Sequence, residues 1–258
     1  MKENENENIE NIKNIENKGN VDNFNENDCK IILDENEDYD IIFKIMLIGN
    51  ASVGKSTLIN KLLNNESSEK STIGFDLRNV NIKVKDKICK LEIWDTCGQE
   101  NYRSLMTKFY KNSSLMILVY AINNEKSFEE LNYWKKQIND HCKKGIKIIL
   151  VGNKNDLVDE RKVTEEEGRK YCKDNKFDSF FESNNNDDES IKKIFFKSAY
   201  LLYNEFINMD IDDIRFSIGL LDKSGLGDKN NIPNNPKTDK IKDDNKIKEN
   251  NNGNNKCC

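Results

Sequence analysis

Gly49-Asn50-Ala51-Ser52-Val53-Gly54-Lys55-Ser56 is the stretch on which the fold turns. Its pattern, G-x-x-x-x-G-K-S, belongs to loops whose backbone N–H groups cradle phosphates. The residues before it, Ile41-Ile42-Phe43-Lys44-Ile45-Met46-Leu47-Ile48, form a short, Ile-rich apolar run that suits a buried strand. The residues after it, Thr57-Leu58-Ile59-Asn60-Lys61-Leu62-Leu63, carry apolar side chains at helical spacing. A loop in that place presents successive amides at a helix N-terminus, where the helix dipole adds to the attraction for an anion. Lys55 can reach the outer phosphates, and the Ser56 hydroxyl can ligate Mg²⁺. A chance match in a strand–turn–helix is the competing reading, and the rest of the chain decides between them.

Charge is unevenly spread over the 258 residues. Residues 1–40 hold 4 Lys against 13 Asp/Glu, a net of −9. Residues 41–221 and 222–258 each carry a net of +2, so the overall −5 comes from the N-terminal segment. No strong basic field marks the core as a nucleic-acid binder. The seven Cys form no C-x-x-C pair, and the single His, His141, offers no metal cluster with them. A disulfide framework or zinc site is therefore disfavoured, and a reducing compartment fits better. No apolar run is long enough to span a bilayer.

Along the chain, residues 1–40 are Asn/Glu-rich and too polar to offset ordering entropy, so disorder is expected there. A polar loop at 64–71 leads to Thr72-Ile73-Gly74-Phe75-Asp76. Residues 80–84 and 88–94 alternate with period two around Lys85-Asp86-Lys87, as a β-hairpin does. The second strand of that hairpin ends in Asp95-Thr96-Cys97-Gly98-Gln99-Glu100, which places Asp95 for a Mg²⁺ shell. Further strands are expected at 114–120, 146–151 and 177–181. Helices are expected at 127–139, from a Thr164 cap, and at 190–207. Phe128, Leu131, Trp134 and Ile138 share a helix face and read as core. Strands alternating with helices indicate an α/β fold with a mostly parallel sheet, whose ligand loops lie beyond the carboxyl ends of the strands.

The ordered set of motifs resembles the Ras superfamily of small GTPases over residues 41–208. Asn153-Lys154-Asn155-Asp156 matches N-K-x-D, which reads guanine. A carboxylate at Asp156 accepts from the N1–H and exocyclic amine of guanine, a donor pair that adenine lacks. Within the superfamily the chain looks like a Rab: Thr72-Ile73-Gly74-Phe75-Asp76, Lys90-Leu91-Glu92-Ile93-Trp94-Asp95-Thr96-Cys97-Gly98-Gln99-Glu100, Leu118-Val119-Tyr120-Ala121-Ile122 and the Cys257-Cys258 pair all resemble Rab signatures.

The resemblance implies a P-loop NTPase fold, with a six-stranded mostly parallel sheet flanked by helices and disordered tails at 1–40 and 209–258. It implies GTP or GDP and Mg²⁺ as ligands. Asn50, Ala51, Ser52, Val53, Gly54, Lys55, Ser56 and Thr57 would hold phosphates. Asn153, Lys154, Asp156, Ser183, Asn184 and Asn185 would hold the base. Ser56, Thr72 and Asp95 would serve the metal, Gly98 would sense the γ-phosphate, and Gln99 would orient the attacking water. Implied partners are effector proteins, an exchange factor, a GTPase-activating protein, a GDP-dissociation inhibitor and a prenylation escort. Two prenyl groups on Cys257 and Cys258 would anchor the chain to the cytoplasmic face of endomembranes, with a cytosolic pool.

Four departures from the Rab pattern stand out. The segment between Ser56 and Thr72 is shorter than usual and lacks the aromatic that packs on guanine. The base loop S-A-K reads Ser183-Asn184-Asn185-Asn186. Cys97 stands in place of Ala, and Ala51 occupies a position where Rabs often have Ser. These departures keep a second reading open, a lipid-anchored guanine-nucleotide scaffold that scarcely hydrolyses. A soluble P-loop kinase is a third reading, and it predicts adenine preference.

Overall fold

The computed structural model describes residues 24–32, 38–63, 75–96 and 109–209. Thr72, Gly98, Gln99, Cys257 and Cys258, the segment 64–74 and Cys97 lie outside the described residues. The chain divides into two units at Met209/Asp210, and the second unit lies wholly outside them.

The apolar run before the phosphate loop forms a strand. The strands are β1 (Cys29–Ile32), β2 (Ile41–Ile48), β3 (Phe75–Val84), β4 (Lys87–Thr96), β5 (Leu115–Ala121), β6 (Lys147–Asn153) and β7 (Ser179–Ser183). The helices are α1 (Lys55–Leu62), α2 (Glu125–Glu129), α3 (Leu131–His141), α4 (Glu165–Asp174) and α5 (Asp188–Ile207). One seven-stranded sheet runs β1-β3-β4-β2-β5-β6-β7. Pairing is parallel from β4 through β2, β5 and β6 to β7, and antiparallel for β3 with β4 and β1 with β3. The mostly parallel α/β sheet expected from the alternation of elements is present, with a seventh strand added to the expected six.

All seven residues of β5 are buried, which is why it reads as an unbroken apolar run. Burial of each such Leu, Ile or Val contributes about 1.5–3 kcal/mol before entropy is counted. Two cores lie on the two faces of the sheet. One packs Leu58, Ile59 and Leu62 of α1 and Ile194, Phe195 and Leu202 of α5 against β2–β4. The other packs Leu131, Trp134 and Ile138 of α3 and Cys172 of α4 against Met46, Leu118 and Leu150. The expected Thr164 cap is a full capping box with Glu167. The single helix expected at 127–139 is two pieces, α2 and α3, meeting at Glu130. Ser127 ties the first piece to the sheet, because Ala121 N–H donates to Ser127 Oγ at 3.1 Å.

The disorder expected over residues 1–40 is corrected at 24–32. A 3-10 turn at Glu26–Asp28 leads into β1, which pairs with the outer edge of β3. Phe24 packs on the Tyr200 ring at 5.3 Å, Glu26 pairs with Lys193 at 3.4 Å, and Cys29 is buried in the α5-side core. These distant apolar and ionic partners supply what the local composition lacks. The segment also covers part of a sheet edge that would otherwise present unpaired backbone groups.

Candidate functional site

The parallel register levels the carboxyl ends of the strands, so that Leu47 sits opposite Asp95, and Ala121, Asn153 and Ser183 lie side by side. The loops leaving β2, β6 and β7 therefore start from one edge of the sheet, the place where open α/β sheets bind ligands.

Gly49 has φ 142° and passes so close to β5 that an added Cβ would lie 2.1 Å from the Val119 carbonyl oxygen. Gly54 is left-handed, with φ 98°, and a Cβ there would lie 2.2 Å from Asn153 Nδ2. Both motif glycines are thus required by shape as well as by dihedral angle. Ser52 adds another left-handed residue at φ 60°. Lys55 is buried, and its ammonium donates to the carbonyls of Gly49 at 2.9 Å and Asn50 at 2.7 Å, so it folds across the loop. Val53 is fully buried, Ala51 and Ser52 are exposed, and Thr57 is half-buried in the first turn of α1.

Ser56 Oγ donates to Asp95 Oδ2 in a short contact, and Asp95 is buried. A hydroxyl and a carboxylate held together are hard oxygen donors of the kind Mg²⁺ takes when phosphates and waters complete its shell. Among the described residues no group of three or more His, Cys, Asp and Glu could hold a metal ion by itself. Thr96 Oγ1 donates to the Leu47 carbonyl at 2.7 Å and fixes the end of β4 against β2.

Asn153 joins the two halves of the site. It is fully buried; its Nδ2 donates to the Val53 carbonyl of the phosphate loop at 2.8 Å, and its Oδ1 accepts from Ser183 Oγ at 3.2 Å. Lys154 follows in a left-handed conformation at φ 66°, and Asp156 is exposed. Asn155 N–H donates to the Ser183 carbonyl at 3.0 Å. Asn184 and Asn185 are half-buried in the adjoining loop. The structure thus brings together the phosphate-loop residues, Asp95, Asn153 to Asp156 and Ser183 to Asn185.

Three supporting side chains escaped the sequence reading. Trp134 Nε1 donates to Asn50 Oδ1 at 2.8 Å, so a residue read as core also anchors the phosphate loop. The alternation of apolar residues on α3 carried no sign of this bond. Arg161 forms a two-pronged pair with Glu182 at 2.7 and 2.8 Å and bonds the Val163 carbonyl, bracing the loops after β6 against β7. The Glu182 hydrogen bond raises the guanidinium pKa further.

A family model described as the Ras family matches residues 44–204. The chain belongs to this family of small GTPases. It is 37% identical over 187 residues to the Ras-related protein YPTC6 of Chlamydomonas reinhardtii, covering 71% of this chain and 86% of that one. It is 35% identical over 185 residues to the Ras-related protein rab-11.1 of Caenorhabditis elegans, covering 71% and 87%. It is 37% identical over 163 residues to the GTP-binding protein ypt3 of Schizosaccharomyces pombe, covering 62% and 76%. With these relatives the chain is a Rab-family small GTPase, a GTP-binding switch of vesicle traffic, and this membership disfavours the scaffold that scarcely hydrolyses.

Proposed function

We propose that this Rab hydrolyses GTP slowly by itself and is accelerated by a separate activating protein. The observation that supports a guanine-nucleotide site for this reaction is the Asn153 latch, through which the guanine-reading motif and the phosphate loop share one buried side chain. Asp156 would accept two hydrogen bonds from guanine, and the Lys154 stem would cover the base. The backbone N–H of Asn185 would meet the guanine oxygen. Asn50 to Thr57 would line the phosphates. Bound through Ser56, Thr72 and Asp95, Mg²⁺ would neutralise charge on the β- and γ-phosphates.

Gln99 would orient the water that attacks the γ-phosphorus. The bond to the bridging oxygen breaks, and GDP and inorganic phosphate leave. Thr72 and Gly98 would report the γ-phosphate to effectors, so that its loss changes what partners recognise. No residue of the motifs supplies an arginine finger in cis, which is the reason for assigning a slow intrinsic rate.

The segment 209–258 would act as a tether, with Cys257 and Cys258 carrying two geranylgeranyl groups. One chain binds membranes marginally and two anchor stably, which suits the cytoplasmic face of endomembranes with a cytosolic pool held by a GDP-dissociation inhibitor. Among the described residues no helix is long and apolar enough to cross a membrane.

The test begins with the nucleotide released on denaturing protein purified in Mg²⁺. Near-stoichiometric GDP or GTP is expected, and ATP or an empty protein that refuses added GDP would overturn the reading. Single-turnover hydrolysis with activating proteins follows. Acceleration in the wild type and its loss in Gln99→Leu, with nucleotide still bound, is the expected pair of results.

A further inference from the structure

One departure from the Rab pattern reaches across to the guanine-reading motif in space. Asn184 belongs to the altered base loop Ser183-Asn184-Asn185-Asn186, and Asn155 is the variable position of N-K-x-D. Asn184 Nδ2 donates to Asn155 Oδ1 at 2.5 Å, and Asn184 Oδ1 accepts from the Asn186 N–H at 2.7 Å. One amide therefore holds its own loop with its oxygen and the neighbouring loop with its nitrogen. The backbone repeats the link, because Asn155 N–H donates to the Ser183 carbonyl. A serine at 184 would be too short to keep both side-chain bonds.

The clasp grips the chain at a sensitive point. Asn155 lies between Lys154, which is left-handed, and Asp156, whose side chain is exposed. The adjoining loop also carries a cost. Asn185 Oδ1 is buried with no hydrogen-bond donor among the described residues, and a buried unpaired acceptor destabilises its surroundings. A loop of three asparagines with that burden needs an added hold if it is to stay in one conformation.

We propose that the Asn155–Asn184 amide pair is a positioning clasp that fixes the Asp156 carboxylate for guanine and sets the rate of nucleotide release. Both are positioning residues, since they act through Asp156. The inference rests on the guanine-nucleotide reading given above.

The experiment uses the full chain in Mg²⁺, loaded with a fluorescent GDP analogue. Release is followed for the wild type, Asn155→Ala, Asn184→Ala and the double variant, with competition by GDP and by inosine diphosphate, which lacks the exocyclic amine. Each single variant is expected to release the analogue about 5- to 10-fold faster, the worth of one hydrogen bond. The double variant is expected to match the faster single variant within about twofold, as residues acting as a pair do. The preference for GDP over inosine diphosphate falls with them.

Release at the wild-type rate, additive effects, or equal weakening of both nucleotides would overturn the clasp, the last because a merely structural role does not distinguish the bases. Should Asn184→Ala not fold, Asn184→Ser carries the same expectation. A wild type that loads no GDP fails the guanine reading itself, whereas a wild type that loads normally beside insensitive variants fails only the clasp.

Discussion

Gly49 and Gly145 are both glycines with positive φ, 142° and 76°, yet their surroundings differ completely. A Cβ at Gly145 meets nothing within 4 Å, whereas one at Gly49 meets a backbone carbonyl of the fully buried strand β5 at 2.1 Å. A side chain at Gly145 therefore faces only the left-handed penalty, about 1–2 kcal/mol. At Gly49 the penalty is joined by a clash with a strand that has no room to move, for a total of about 3 kcal/mol or more. With a shift of about 2–4 °C per kcal/mol for a domain of this size, Gly145→Ala should melt a few degrees below the wild type. Gly49→Ala should lose about 10 °C or fail to accumulate. Equal melting shifts would show that β5 gives way and that the glycine serves only its dihedral angle. The motif G-x-x-x-x-G-K-S names both of its glycines without saying what each touches; that depends on the sheet order, which sets β5 beneath the loop.

The N-terminal strap raises the same contrast between local pattern and distant partner. Its stability rests on Phe24 against Tyr200, Lys197 over the Phe24 ring at 5.0 Å, and four residues of β1 paired to β3. Phe24→Ala removes the ring contacts and should cost about 1–2 kcal/mol, read as a lower denaturant midpoint at unchanged slope. Amide exchange at Ile31 and Ile32 should quicken together, since both belong to the strand that Phe24 pins. A midpoint equal to that of the wild type would mean that the strap rests on the sheet without stabilising it. Strands β2, β5 and β6 were legible because each is predominantly apolar, and β3 and β4 because they alternate around a turn. β1 was not, because Cys-Lys-Ile-Ile is four residues in an Asn/Glu-rich setting and its partners lie far along the chain. The site divides in the same way. Contiguous motifs such as N-K-x-D show in the sequence, while the Trp134–Asn50, Arg161–Glu182 and Asn155–Asn184 links depend on which loops the register sets side by side.

Because one sheet carries a core on each face, groups that resist ionisation occur on both sides of it. Burial pushes the Cys29 thiol up to about 11 and that of Cys89 up to about 12, both in the α5-side core. On the other face it pushes Cys142 up to about 12, Cys172 up to about 11 and the Tyr171 phenol up to about 12. The ordinary values are 9.0 for the thiols and 10.0 for the phenol. A raised folded pKa means that the unfolded chain loses its proton first. The stability these groups allow is complete below about pH 9 and declines as pH rises toward 12, because deprotonation draws the chain toward the unfolded state.

Both layers are affected, and they share the strands between them, so the loss should be cooperative and not confined to one face. Calorimetric scans of the full chain from pH 7.5 to 11 should show one transition for the nucleotide-bound unit, with a melting temperature level to about pH 9 and falling steadily above it. Cys89→Ala, which removes a fully buried thiol, should make that fall shallower. This variant also separates the protein's own response from any weakening of nucleotide binding at high pH. A level melting temperature to pH 11, or an identical slope in Cys89→Ala, would show that the buried thiols reach water before the fold opens.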